Sequence, residues 1–124
     1  MRIILFSESD YNFSAKLAKI CNLESDELLF FDNFNSLQSF KNQNNILLII
    51  DFNDYKNKLD LIINLIKSIS SFPVCVLVDK IQPKIQKEIT KMGFDIIMSK
   101  AMFLMNIKTI KSQVNNNFNN IQKQ

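Results

Sequence analysis

The sequence contains no histidine. That absence excludes Ser-His and Cys-His catalysis, imidazole-ligated metal sites and any role as a phosphohistidine carrier. Glycine is almost missing too, with Gly93 standing alone. Loops that cradle phosphate need several glycines so that backbone amides can approach the anion, so a P-loop and a dinucleotide-binding turn are excluded. Cysteine is confined to Cys21 and Cys75, far apart in apolar surroundings. They read as reduced core thiols rather than a redox pair or a metal site. Long hydrophobic runs are lacking as well: the longest, Ile46 to Ile50, stops at Asp51, far short of the roughly 18 apolar residues of a membrane span. The opening run Ile3 to Phe6 follows a single cation, Arg2, and ends at Ser7-Glu8. It is too short and too soon acidic for a signal peptide. No membrane association is expected, and the location is expected to be cytoplasmic.

What is present is globular. Of 124 residues, 47% are hydrophobic and 22% charged, a mixture that supports one core and one domain over residues 1–124. The net charge is only +3, from 15 basic and 12 acidic residues. The lysines are spread among acids rather than gathered on a stripe, so direct nucleic-acid binding is not expected. The Asn-rich segment 115–124 has poor helix propensity and is expected to be a frayed, solvated tail.

Short apolar runs alternate with segments of helical period. Ile3–Phe6, Leu28–Phe31, Ile46–Ile50, Val74–Val78 and Asp95–Met98 read as strands, the uncharged ones buried on both faces. Between them, Phe13, Leu17, Ile20 and Cys21 mark one helix, with Ser9 or Asp10 able to cap its first turn. Leu37 and Phe40 mark a short helix near Ser36 to Lys41. Leu59, Ile62, Ile63, Ile66 and Ile69 mark another from about Asn57 to Ser70, widened by Leu61 and Leu65 and broken at Phe72-Pro73. Pro83 opens the next at its tolerated first-turn position, Ile85, Ile89 and Met92 form its inner stripe, and Gly93 ends it. Phe103, Ile107, Ile110, Val114, Phe118 and Ile121 mark the last. Strand and helix alternating about five times with short links predicts an α/β fold, a mostly parallel sheet with helices on both faces.

In such a sheet, ligands gather beyond the carboxyl ends of the strands. The strand ends therefore nominate Glu8, Asp51, Asp79 and Lys100, carboxylates facing one ammonium at a single rim.

With these residues in view, the chain resembles the receiver domains of two-component response regulators. Gly93-Phe94-Asp95-Ile96-Ile97-Met98-Ser99-Lys100 is similar to the family's segment ending in a functional lysine, and Leu47-Leu48-Ile49-Ile50-Asp51 to its third strand ending in the phosphoacceptor aspartate. The likeness runs from Met1 to about Val114. It implies a flavodoxin-like, doubly wound, five-stranded parallel sheet in the order 2-1-3-4-5. It also implies phosphoryl transfer to Asp51 from a partner histidine kinase, with Lys100 pairing the phosphoryl oxygens. Mg²⁺ would be held by Glu8, Asp51 and the backbone carbonyl of Asn53.

Measured against that resemblance, the sequence departs at several places. Ser7 replaces the first member of the family's acidic pair, so two carboxylates remain where three normally face Mg²⁺, and metal affinity is expected to be weak. Val78 replaces the hydroxyl residue that bonds the phosphoryl group, and Asp79 replaces a small residue that opens access to the aspartate. Ile97 takes the place of the switch aromatic, and Ala101 that of the following proline. These departures favour a degenerate, non-enzymatic receiver-like domain that acts by protein contact, with phosphorylation of Asp51 weak or absent. A functional atypical receiver phosphorylated on Asp51 with Mg²⁺ is the alternative, and a small α/β enzyme or ligand-binding protein a third. Expected partners are a histidine kinase or a downstream regulator. A homodimer is a further candidate, formed through the surface of the fourth helix, last strand and last helix, where Met102, Leu104 and Met105 surround Phe103.

Overall fold

The computed structural model describes residues 1–69, 73–94 and 96–122, without the side chains of 69 and 115–122. Five strands, β1 (Arg2–Phe6), β2 (Glu27–Phe30), β3 (Ile46–Asp51), β4 (Val74–Val78) and β5 (Ile96–Ser99), form one sheet in the order β2-β1-β3-β4-β5. Every pairing is parallel, from Arg2 beside Glu27 and Ile46 to Val78 beside Ser99. This is the flavodoxin-like doubly wound sheet, with its switch point between β1 and β3. β3 is central and buried along its whole length, which explains its uninterrupted aliphatic sequence: both of its faces meet helices.

The alternation of side chains along the strands sends residues to two cores. One face gathers Ile4, Phe6, Leu48, Ile50 and Val76 with Leu59, Ile62 and Ile66 of α3 (Leu59–Ile69) and Ile89 of α4 (Pro83–Met92). The other gathers Ile3, Leu5, Leu47, Ile49, Cys75 and Leu77. They pack with Phe13, Leu17 and Cys21 of α1 (Tyr11–Leu23) and with Phe103, Ile107, Ile110 and Val114 of α5 (Lys100–Gln122). A four-residue helix, α2 (Phe52–Tyr55), directly follows β3.

Local chemistry sets the boundaries. Asp10 caps α1, its Oδ1 accepting from the Phe13 amide at 3.0 Å. Pro83 sits in the first turn of α4, and Gly93 ends it in the left-handed region at φ 111°. The expected helix near Ser36 to Lys41 is a 3-10 helix, Phe34–Phe40, with Leu37 and Phe40 buried as anticipated. Leu61 does not widen the buried face of α3: it is exposed, because at 100° per residue it falls nearly opposite Leu59 and Ile63. The last helix is interrupted at Asn106, whose φ and ψ of −118° and 15° are not helical and whose side-chain amide donates to the Met102 carbonyl at 2.8 Å. It continues to Gln122. The expectations placed on Phe72, Asp95, the side chains of Phe118 and Ile121, and residues 123–124 fall outside what the structure describes. No helix among the described residues is long and apolar enough to cross a membrane.

Candidate functional site

The carboxyl ends of β1, β3 and β4 and the residue after β5 converge at one rim. Asp51, the last residue of β3, is 1% exposed. Lys100, the first residue of α5, is buried and its Nζ lies 2.9 Å from Asp51 Oδ2, 2.9 Å from Asp10 Oδ2 and 3.0 Å from Asp79 Oδ1. Three N–H bonds thus meet three carboxylates, the full donor capacity of an ammonium. The Lys100 ammonium also lies 5.9 Å from the centre of the Phe13 ring. Burial alone would lower the lysine pKa, but the hydrogen bonds it donates to Asp51, Asp10 and Asp79 outweigh that and raise it above its ordinary value.

Asp51 is enclosed by donors. Ser7 Oγ donates to Oδ2 at 3.0 Å, Lys100 shares the same oxygen, and the Asn53 amide donates to Oδ1 at 3.1 Å. Asp79, beyond β4, also accepts a hydrogen bond from the Asn53 side-chain amide. Asp79 is the exposed member, at 61%, of the carboxylates around Lys100.

The loop after β1 is tied to α2 by a second set of bonds. Asp54 accepts from the Glu8 amide at 2.7 Å, the Ser9 amide at 3.1 Å and the Ser9 hydroxyl at 2.6 Å. Burial raises the Asp54 pKa, but these three donors more than reverse the effect and leave it below 3.8. The Tyr55 hydroxyl donates to Glu8 Oε1 at 3.1 Å. Burial and then this bond to an acceptor raise the tyrosine pKa.

Of the residues nominated from the sequence, Asp51, Asp79 and Lys100 are in direct contact. Glu8 lies at the same rim, but its carboxylate turns to Tyr55 instead of Asp51. Asp10 was anticipated as a helix cap alone. Its two oxygens divide the work, Oδ1 capping α1 and Oδ2 holding Lys100, and the signal available in the sequence was its place four residues after β1 on the rim side. Asp54 and Tyr55 carried no such signal, because they fall in the short segment between a strand and a helix.

This donor set fits Mg²⁺ poorly. A hard cation needs free carboxylate oxygens, whereas both Asp51 oxygens receive N–H or O–H groups, Ser7 is a neutral donor and the Glu8 carboxylate accepts from Tyr55. Among the described residues no group of three cysteine or carboxylate side chains is arranged to hold a metal ion.

Val78 is buried and Ile97 packs partly buried against the core beside α3 and α4, both as ordinary strand residues. On α5, Met102 and Met105 are exposed while Leu104 packs against the second core.

The fold is similar to the crystal structure of a response regulator from Thermotoga maritima, with a TM-score of 0.67 at 17% identity, covering 90% of this chain and 97% of that one. No family model matches the sequence, and no curated protein does either.

Proposed function

We propose that this chain is a degenerate receiver-like signalling domain of the cytosol, working by protein contact, with phosphorylation of Asp51 weak or absent and only weak affinity for Mg²⁺. One observation carries this reading: the Asp51 carboxylate is 1% exposed and closed in by Ser7, Lys100 and the Asn53 amide. Phosphoryl transfer depends on positioned charge around the transferring group. Here that charge is already spent within the chain, Val78 offers no hydroxyl, and Asp79 adds an anion at the entrance. The likeness to a response regulator supports the signalling class. A histidine kinase or a downstream regulator is the partner class it suggests. The exposed Met102 and Met105 on the α4–β5–α5 side offer adaptable apolar contacts, for a partner or a second copy.

The alternative is an active atypical receiver phosphorylated on Asp51 with Mg²⁺, favoured by the gathering of Glu8, Asp51 and Lys100 at the one rim where the strands end. Incubation with acetyl phosphate and Mg²⁺, read by intact mass with Asp51→Asn as control, separates the two. Little or no adduct is expected; a stoichiometric gain that vanishes in Asp51→Asn establishes the alternative.

A further inference from the structure

We propose that Asp79 gates this rim: its carboxylate caps the outward side of the Lys100 ammonium and the Asn53 amide, and so closes Asp51 to reagents from solvent. The inference rests on the receiver-like reading of Asp51 given above and adds the element that controls access to it. The contacts divide into two kinds. Asp10 and Asp51 hold Lys100 from inside, Asp10 being fixed as the cap of α1 and Asp51 being buried at the end of β3. Asp79 holds it from outside. It is 61% exposed, it lies in the link between β4 and α4, and it reaches two donors at once, Lys100 Nζ and Asn53 Nδ2. One exposed carboxylate thus engages both Lys100 Nζ, which also holds Asp51, and the side-chain amide of Asn53, whose backbone amide holds Asp51.

Charge and space act in the same direction. With three carboxylates around one ammonium, the cluster carries a net negative charge, and an approaching anion is repelled. Releasing Asp79 frees one N–H of Lys100 and the Asn53 amide, and removes one of the repelling charges. An exposed ion pair opens at small cost, so Asp79 is the member of the cluster that can leave without unfolding the site. Because it begins the link to α4, its release also unties that link from the rim.

The test is amine accessibility. Lys100 in the full chain is acetylated with an N-hydroxysuccinimide ester and mapped by peptide mass, with exposed Lys84 as internal reference and thermal unfolding as the check on folding. In Asp79→Ala the relative rate at Lys100 is expected to rise about threefold, the scale of one exposed ion pair, whereas Asp79→Glu, which keeps the carboxylate, stays protected. Equal rates in wild type and Asp79→Ala, or equal rises in the Ala and Glu variants, overturn the gate. A parallel incubation of Asp79→Ala with acetyl phosphate and Mg²⁺ reads the acid itself: an Asp51 oxygen attacks phosphorus, the bond to the acetate oxygen breaks, and acetate leaves with the electron pair. An opened Lys100 with no Asp51 adduct keeps the gate and removes the phosphoacceptor reading. A closed Lys100 removes the gate whatever Asp51 does.

Discussion

The two ends of the sheet carry opposite charge arrangements. At the carboxyl ends of the strands, three carboxylates surround the single ammonium of Lys100. At the amino ends, the single carboxylate of Asp26 is held between two cations, the Met1 amino group at 3.2 Å and Lys111. Both centres are largely buried, but they differ in what their surplus charge can do. The surplus cation beside Asp26 includes a lysine on a long, flexible stem that reaches solvent when its partner is lost. Of the surplus carboxylates around Lys100, Asp10 and Asp51 sit on short side chains fixed by a cap and a strand end and stay where they are, whereas the exposed Asp79 is free to move. A buried charge is costly when its counter-charge is removed and it has nowhere to go. The difference marks the acidic end as the constrained one, the end at which composition is tied to a site.

The strongest test of that contrast is Lys100→Ala. Asp51 would be left buried with two further carboxylates nearby, and a loss of about 3–5 kcal/mol is expected. Urea unfolding at pH 7 measures it. A loss below about 1 kcal/mol would place the pair among ordinary surface bridges and erase the contrast. Asp26→Ala comes next, with an expected loss of about 1.5–3 kcal/mol for its charged hydrogen bonds. It should be smaller than the Lys100 effect because Lys111 swings to water; a larger loss would reverse the comparison.

The pH profile of the intact chain sharpens it further. Asp10 is held below 3.8 by the Phe13 amide and then by Lys100, and Asp54 lies below the same ordinary value. Carboxylates depressed in this way bind fewer protons folded than unfolded. Their stabilisation is complete above the unfolded value and is lost as pH falls through the folded ones. Lys100 is raised, so its contribution is complete below 10.5 and is lost as pH climbs through its folded value. The urea midpoint should therefore decline below about pH 4 and again above about pH 10. In Lys100→Ala the alkaline decline should shrink while the Asp54 part of the acid decline persists.

Much of this arrangement was legible in the sequence, for a simple reason. Period-two and period-3.6 patterning fixes where a strand stops, and a parallel sheet sends every stop to the same side. Asp51, Asp79 and Lys100 could therefore be placed together from spacing, while the strand order came from the resemblance. What spacing does not carry is the direction of a side chain after the strand has ended. Glu8 sits at the rim as expected, yet its carboxylate follows the hydroxyl of Tyr55, a partner 47 residues away. Asp10 announces itself as a cap through one oxygen, and only its place on the rim side, four residues after β1, hints that the other meets Lys100. Leu61 misled because a helix rich in aliphatics offers more apolar positions than it buries. The break at Asn106 was hidden because a single asparagine inside a helical pattern reads equally well as a solvated position.

Cys21 on α1 and Cys75 on β4 are both buried, and burial lifts their thiol pKa values to about 11 and about 12, with Asp26 adding to the rise at Cys21. Each sulfur is inert while its own layer stays shut. Alkylation at Cys21 requires the helical layer to peel away, whereas alkylation at Cys75 requires the strands themselves to part. The molecule thus contains two native clocks for its own opening, one in the cladding and one in the frame. The ratio of their rates reports the order in which the architecture comes undone.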